Sequence, residues 1–371
     1  MSLFSGSFRK LAAVQILLAV FSPPTSAKSL GPVAVRNQLP FNQLILELTP
    51  AEAETVARDT LDVEFSLGWS NTFIMSPKIG NWIEYNRDQG RSKLSLAEIN
   101  QILVSSGRKD LYFFDGEVAR WGLRLSYGLT DTLQLTLDTS IHSRNGGFAD
   151  PLIESFHHSL NLGNADREFF PQNDFLVFLH SGEQQFYRDN RPAAFAPGDT
   201  TLELKLKSRS RWRGWTGAVA ASIKAPTGNV NDFGGSGNWD GQIAGYASHP
   251  AGRDGTVHLN LSYTRLGGID NLPIPTGDHI WSALAAYEAW SHHHKLNWVF
   301  QGAYSTSLFD GASSSDLSDA TLLFTAGLRI PVDHRDLLSF ALIENIGQFD
   351  NSTDIALHLS YRHSFGGKAP Y

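Results

Sequence analysis

Cysteine is absent from this chain, and charged residues are few. With no Cys among 371 residues, the chain has no disulfide, no thiolate metal site and no lipidated amino-terminal Cys. Asp, Glu, Lys and Arg make up only 18% of the sequence, and the formal net charge is -7. Because basic residues are neither in excess nor gathered into runs, nucleic-acid binding is not expected. Stability must therefore come from the fold itself.

Long apolar runs are also scarce, and the one that stands out lies near the amino terminus. Arg9 and Lys10 precede an apolar core at 11–21, and the small residues Thr25-Ser26-Ala27 follow it. This core is shorter than the roughly 18 residues of a membrane-spanning helix, so it predicts a signal peptide at 1–27 rather than an uncleaved anchor. No later stretch is long and apolar enough to span as a helix. The chain is therefore expected to be exported.

The chain is instead rich in alternating apolar and polar residues. From Ile355 to Phe365, Ile, Leu, Tyr and Phe fall on one face, while His, Ser and Arg fall on the other. This period of two, closed by an aromatic residue, is typical of a strand with one face in lipid and the other in a polar lumen. Stronger or weaker versions of the pattern occur near 61–75, 120–127, 132–142, 202–207, 214–225, 239–248, 257–264, 279–290, 296–305, 319–330 and 336–346.

These segments predict an all-β fold, a single antiparallel outer-membrane β-barrel of about 12 strands over 61–365. An even count suits a closed barrel. Short links alternate with long ones, as periplasmic turns alternate with outer loops, which would place both termini in the periplasm. The predicted location is the cell outer membrane, and residues 366–371 form a carboxy-terminal tail. The short links lie near 129–131, 209–213, 291–294 and 331–335.

Three regions fall outside the alternation. Residues 28–60 are predicted to be a short N-terminal segment, either periplasmic or inside the lumen, with a helix that begins at Thr49 as cap and Pro50 as its first residue. Residues 94–104 are a candidate for an extra hairpin. Residues 147–162 are expected to hold a short amphipathic helix on the barrel rim, because apolar residues recur there at helical spacing. Those apolar residues are Leu152, Ile153, Phe156 and Leu160.

Charged side chains on the polar face of the strands are the candidate functional residues. If the Leu-rich faces meet lipid, these side chains point into the lumen, where rings of charge set ion or solute selectivity. The alternative is that mixed signs pair across a mid-sized barrel and simply close it. The lumen-facing candidates are Arg120, Arg124, Glu203, Lys205, Lys207, His358 and Arg362.

No motif predicts a metal site or a cofactor. The adjacent residues His292-His293-His294 cannot all point at one ion, and no carboxylate pattern near them completes a shell. His157 and His158 diverge by about 100° if they lie on a helix. The glycine-rich run at 234–237 lacks the Lys and the helix of a phosphate-binding loop, so it is interpreted as an outer loop.

Two alternatives come from other functional classes. An outer-membrane lipid hydrolase would need a nucleophile and a base, and Ser140, His142, Ser143 and Asn145 cluster at one strand end. However, Ser140 and His142 are expected to lie farther apart than a hydrogen bond, and no G-x-S-x-G elbow occurs, so the chain is not expected to be an enzyme. A soluble periplasmic ligand-binding β-sandwich would pack the Leu faces in a core, but its strands are typically shorter.

Ordered motifs along the chain resemble one bacterial family. They are Gly31–Gln38, Trp69-Ser70-Asn71, Phe114–Glu117, Tyr127–Thr130, Gly146-Gly147-Phe148 and Lys224–Gly228. The family is the domain of unknown function thirty-one eighty-seven, which comprises exported proteins of Gram-negative bacteria. The resemblance implies an outer-membrane-type barrel and supplies no activity, ligand or catalytic residue.

The sequence thus predicts a small-solute channel or transporter, or a structural component of the outer membrane. Its expected partners are outer-membrane lipid and, during biogenesis, the barrel-assembly machinery. No solute follows from the residues alone.

Overall fold

The computed structural model describes residues 29–87, 90–107, 110–159, 164–189, 195–293, 295–309, 312, 315–345, 353 and 355–367. The predicted signal peptide, His294 and most of the predicted tail lie outside the described residues. The strands are β1 (Thr60–Met75), β2 (Leu111–Gly128), β3 (Leu133–Asn145), β4 (Leu176–Ser181), β5 (Gln184–Asp189), β6 (Ala196–Pro197), β7 (Thr200–Lys207), β8 (Thr216–Ala225), β9 (Asp240–Ala251), β10 (Gly255–Arg265), β11 (His279–Ser291), β12 (Leu296–Ser305), β13 (Thr321–Pro331), β14 (Asp336–Asn345) and β15 (Ile355–Gly366).

Twelve of these strands close into an antiparallel barrel, as the alternation predicts. The order around the barrel is β1, β2, β3 and then β7 to β15. Closure comes from β1, which pairs with β2 on one side and with β15 on the other, Leu67 lying opposite both Trp121 and Leu359. The short connections lie at one end, called here the short-turn end, and the long ones lie at the opposite, loop end. The β4–β5 hairpin and β6 extend the sheet at the loop end.

Four α-helices are described, all in the long connections. They are α1 (Pro77–Asn86), α2 (Leu96–Ser106), α3 (Asp150–Ser159) and α4 (Ser315–Ser318). None of the described helices has the length and apolar character needed to cross a membrane. The expected helix in the longest loop is confirmed as α3, although Leu160 lies outside the described residues. Asp150 at its start accepts hydrogen bonds from Asn71 of β1 and from Arg167, which fixes the helix at the rim.

The suggested hairpin at 94–104 is wrong, because this region is helix α2. Ser95 caps the helix: its hydroxyl accepts from the Glu98 amide, and the Glu98 carboxylate accepts from the Ser95 amide. The helix ends at Gly107, whose φ of 71° is readily adopted only by glycine. Burial raises the pKa of Glu98, but hydrogen bonds from Ser95 and Arg87 outweigh it and hold that pKa below its usual value. The helix thus begins at a capping box, and its buried residues Ile99, Ile102 and Leu103 recur at helical spacing.

The outer surface of the barrel is apolar. Leu202, Leu204 and Leu206 on β7 are 44%, 46% and 50% exposed, whereas Lys205 between them is 3% exposed. A β-sandwich would bury these leucines in a core, so that alternative is wrong. An apolar exterior around a polar interior is the arrangement of a barrel that meets lipid.

Replacing an outward leucine by lysine tests this surface. Leu204→Lys is expected to lower the free energy of unfolding in lipid vesicles by about 2–4 kcal/mol, because a charge on the lipid face must leave water. Denaturant unfolding of the reconstituted protein measures the effect. Leu204→Ala is the control, since it removes apolar area without adding charge. Equal losses in the two variants would contradict a lipid-facing position.

Candidate functional site in the barrel lumen

Residues 29–59 run through the lumen and are called here the plug. The Leu30 amide donates to Glu288 near the short-turn end of β11, at 3.1 Å. The segment rises from there to the loop end, turns around residues 39–45 and descends until the Asp59 amide donates to Gly128 at 2.9 Å. Most of its residues from 30 to 50 are buried. The plug therefore passes along the interior of the barrel twice.

Polar side chains of the wall satisfy the backbone of the plug. The Val33 amide donates to Gln301 Oε1 at 2.6 Å, and the Ala53 amide donates to Ser248 Oγ at 2.9 Å. Asn260 bonds both the amide and the carbonyl of Ala51, at 3.1 and 2.9 Å. The helix predicted from Thr49 is therefore wrong. Residues 46–52 form no helix, and polar groups of this backbone pair with the wall instead of with a helical turn.

A buried ion cluster fastens the plug near the loop end. Lys224 on β8 lies 2.6 Å from Asp199 and 3.2 Å from Asp240, and all three side chains are almost fully buried. Its ammonium also donates to the Leu44 carbonyl of the plug at 2.9 Å and to Ser236 Oγ at 2.5 Å. Asp240 in turn accepts from the Leu46 amide at 2.9 Å. Lys224, Asp199, Asp240 and Ser236 are called here the latch.

The turn of the plug completes an apolar cluster at the loop end. The ring of Phe41 makes edge-on contacts with Phe114, Phe233 and Phe309, with centroids 6.2, 6.3 and 5.5 Å apart. Phe114 belongs to β2, while Phe233 and Phe309 come from two long connections. The plug therefore carries both the polar contacts that line the lumen and the apolar contact that covers its loop end.

A cavity of about 790 Å³ remains at the short-turn end and is called here the vestibule. Plug residues Glu52 and Glu54 line it, as do Asp62, Glu64 and Arg329 of the wall. Farther along, the lumen narrows to a void of about 20 Å³ beside Arg36, Glu47 and Asp138. The lumen thus has a wide polar entrance at one end and is constricted by the plug beyond it.

The vestibule contains three of the predicted lumen-facing side chains. Arg124, Lys205 and Arg362 line the vestibule. Lys205 donates to the carbonyls of Glu52 and Glu54, and Arg362 lies 3.8 Å from Asp62 and 3.7 Å from Glu64. Their part in selectivity stays a prediction.

The remaining candidates lie beside the plug or above the vestibule. Lys207 lies 2.8 Å from Glu54 of the plug. Arg120 and Arg124 share Asp138, at 2.9 and 3.0 Å, and Glu203 accepts from Ser222. His358 is 6% exposed. Arg120, Arg124 and Lys207 thus lie within 3.0 Å of a carboxylate, whereas Arg362 lies farther from its two carboxylates.

The sequence analysis missed the residues that hold the plug. Lys224 lies within a strand that the alternation identified, at a position between apolar neighbours. Its polar position in the alternation could have indicated that its side chain points into the lumen. Asp240 lies at the start of the alternating segment 239–248, whereas Asp199 and the plug carboxylates lie outside the strands, where no periodicity marks them.

Ser140 and His142 correct one expectation. Ser140 Oγ lies 3.0 Å from His142 Nε2, so the two side chains are not too far apart for a hydrogen bond. His142 Nδ1 is bonded to Gln43 Oε1 of the plug at 2.9 Å, and His142 is 0% exposed. The group faces the lumen beneath the plug. The described residues therefore leave the pair enclosed, away from the lipid-facing surface.

In the turn after β11, His292 lies beside an aspartate, whereas His294 lies outside the described residues. His292 Nε2 donates to Asp254 Oδ1 at 2.7 Å, and the His292 side chain is 61% exposed. Within the described part of the chain, no group of three or more His, Cys, Asp or Glu side chains is placed to hold a metal ion.

Two solved structures are similar to this chain to different degrees. The chain is similar to the COG4313 outer membrane channel from Pseudomonas putida F1, with a TM-score of 0.51 and 15% identity over 86% of this chain and 100% of that one. It is also matched by the P. putida toluene transporter TodX, with a TM-score of 0.39 and 11% identity over 84% of this chain and 91% of that one. The first likeness shows a shared fold. No curated protein gives a significant match.

The family suggested by the motifs between Gly31 and Gly228 also matches almost the whole chain. A family model described as protein of unknown function DUF3187 matches residues 10–365, which include the plug and every strand of the barrel. The chain belongs to this family.

Proposed function

We propose that the chain is a small-solute channel of the cell outer membrane, and that the plug closes it at rest. The observation that carries the proposal is a polar vestibule of about 790 Å³ that leads to a lumen filled by the chain's own N-terminal segment. A volume of that size lies within the range of about 300–1,000 Å³ that holds small molecules. Under this proposal the short-turn end faces the periplasm.

The contacts of the plug favour reversible displacement. Most of its bonds in the lumen join backbone groups to side chains such as Gln301, Ser248 and Asn260. Water can replace each of these partners, so the net free energy lost per bond is only about 0.5–1.5 kcal/mol. Charged wall side chains hold the plug more strongly. Besides the latch, Arg329 donates to the carbonyls of Leu30, Gly31 and Pro32, and Lys205 donates to those of Glu52 and Glu54. Opening would require these contacts and the packing of Phe41 to be broken.

A channel is favoured over the other roles. The enclosed Ser140–His142 pair gives a lipid substrate no approach from the outer surface, so we propose no catalytic activity. A purely structural component would have no need of a vestibule lined by charged side chains. Contact with outer-membrane lipid and insertion by the barrel-assembly machinery follow from this proposal as predictions.

A disulfide between plug and wall provides the test. Because the chain contains no Cys, Ala53→Cys with Ser248→Cys introduces a single pair at two positions that are now joined by a 2.9 Å hydrogen bond. We expect the oxidised protein to show no openings in planar bilayers and no solute flux into vesicles. Reductant should restore both to the level of the unmodified chain.

Each single Cys variant controls for loss of the original side chain. The bond from Ser248 to His258 is removed in Ser248→Cys, so this variant must open like the parent for the comparison to hold. Equal solute flux through the oxidised and the reduced double variant, with the disulfide verified by mass, would refute the proposal that the plug closes the channel.

A further inference from the structure

The connection between β7 and β8 concentrates Arg and Trp. Residues 208–215 contain three Arg and two Trp but no Asp or Glu. Most other short connections balance a basic residue with an acidic one or carry an acidic residue alone. Asp131, Asp254 and Asp333 lie in three of them. Segment 208–215, called here the basic hairpin, is therefore a local exception on a chain whose net charge is -7.

The tip of the basic hairpin has a defined backbone. Trp212 and Trp215 exchange two backbone hydrogen bonds, at 3.0 and 2.9 Å. Between them, Arg213 and Gly214 have φ angles of 50° and 86°. Positive φ at both central positions is the geometry of a tight turn that suits twisted strands. The side chains around it are thus presented from an ordered scaffold.

The arginines of the hairpin are exposed and only weakly compensated. Arg211 lies 3.7 Å from Glu54, with side chains 65% and 39% exposed. Exposed pairs at such a distance contribute little. The guanidinium of Arg213 lies over the ring of Trp212, 5.2 Å from its centroid. The hairpin therefore offers positive charge together with an aromatic face.

The hairpin continues the apolar exterior of the barrel. Leu206 and Val219, which pair across β7 and β8, are 50% and 57% exposed. Beyond them, Trp212 is 71% exposed, and Trp215 lies beside His249 with ring centroids 4.9 Å apart. Trp at the edge of an apolar belt marks the level of lipid headgroups, and nearby Arg or Lys attracts anionic lipid.

We infer that the basic hairpin binds the phosphate of an anionic phospholipid in the leaflet next to the short-turn end. Trp212 lies at the boundary between headgroup and acyl chain, while Arg209 and Arg213 donate to phosphate oxygens. Arginine suits this role because its planar group donates in pairs to phosphate. The inference uses the orientation given under the proposed function, but it is independent of whether the channel conducts.

Lipid retention by the full-length protein tests the site. Purified protein in neutral detergent would be titrated with phosphatidylglycerol or phosphatidylcholine, and bound lipid counted by native mass spectrometry. We expect a preference for phosphatidylglycerol that weakens with salt. Removing one Arg should weaken phosphatidylglycerol binding about fivefold. The triple variant Arg209→Gln, Arg211→Gln, Arg213→Gln should lose the preference.

A matched control is Arg253→Gln, an exposed arginine in another connection at the same end, next to Asp254. This variant should keep the preference of the parent. The inference is overturned if the triple variant retains phosphatidylglycerol as the parent does, or if Arg253→Gln loses as much. It is also overturned if the triple variant keeps the lipid but loses a bound periplasmic protein. Conductance is measured on the same samples, so that a loss of lipid binding can be distinguished from a loss of channel activity.

Discussion

Deletion of residues 29–56 is expected to leave a barrel that stays open. The deletion removes Phe41, both limbs of the plug and its bonds to the latch, but it keeps 57–59, where Asp59 is bonded to Gly128. If the plugged state holds about 99% of the molecules, deletion raises the open fraction about a hundredfold. Single-channel recording in planar bilayers, with residues 1–28 retained for export, measures this directly.

The deletion could also act through the loop end, because Phe41 supports the apolar cluster there. Phe41→Ala separates the two effects: it removes the contacts with Phe114, Phe233 and Phe309 and leaves the rest of the plug in the lumen. A mobility shift on heating in detergent verifies that each barrel is closed. An intact barrel whose conductance does not rise on deletion would show that residues 29–56 are not the barrier.

Substitution of the latch lysine is expected to produce the largest loss of stability among single changes. Lys224→Met leaves Asp199 and Asp240 buried without their cation, and removing one member of a buried ion cluster typically lowers the free energy of unfolding by about 3–5 kcal/mol. The plug should loosen as well, because the Leu44 carbonyl loses its donor. Denaturant unfolding in vesicles and the rate of protease cleavage within the plug measure the two effects.

An exposed ion pair supplies the control for this substitution. Arg265 and Asp278 lie 3.0 Å apart with side chains 61% and 70% exposed, so Arg265→Met is expected to change stability by less than about 1 kcal/mol. Adding Asp199→Asn and Asp240→Asn to Lys224→Met should recover part of the loss, since no buried carboxylate is then uncompensated. Equal effects of Lys224→Met and Arg265→Met would contradict the latch.

The sequence predicted the barrel well because its signal is local. Each strand repeats its own alternation, and the predicted segments 279–290 and 336–346 agree with β11 and β14 to within about a residue. The family resemblance pointed to the same fold independently. Short connections were equally visible, since the alternation stops and restarts around them. A barrel wall, in which one face of every strand meets lipid, is well suited to such prediction.

The contents of the lumen could not be predicted in the same way. Lys224 meets Asp199 and Asp240 because β8 pairs with both β7 and β9, which places Lys224 opposite Asp240. That the plug also reaches this ammonium group through the Leu44 carbonyl has no signal in the alternation of the strands. The predicted helix start at Thr49 is not used, because wall side chains form hydrogen bonds with the backbone of the plug there. For Ser140 and His142, the expectation rested on backbone spacing, whereas the long imidazole side chain reaches back along the strand to the hydroxyl.

The pairing of β1 with β15 constrains how this molecule is built. These are the first and last barrel strands, so the cylinder can be sealed only after all of the intervening chain has been synthesised. Residues 29–59 directly precede one edge of that seam. After β1 has paired with β15, the plug could enter the closed barrel only through the vestibule. Because the plug passes along the interior twice, it would have to enter folded back on itself. We therefore expect the segment to be enclosed while the curved sheet is still open, which avoids this threading. On this route the barrel would be assembled with its plug already inside.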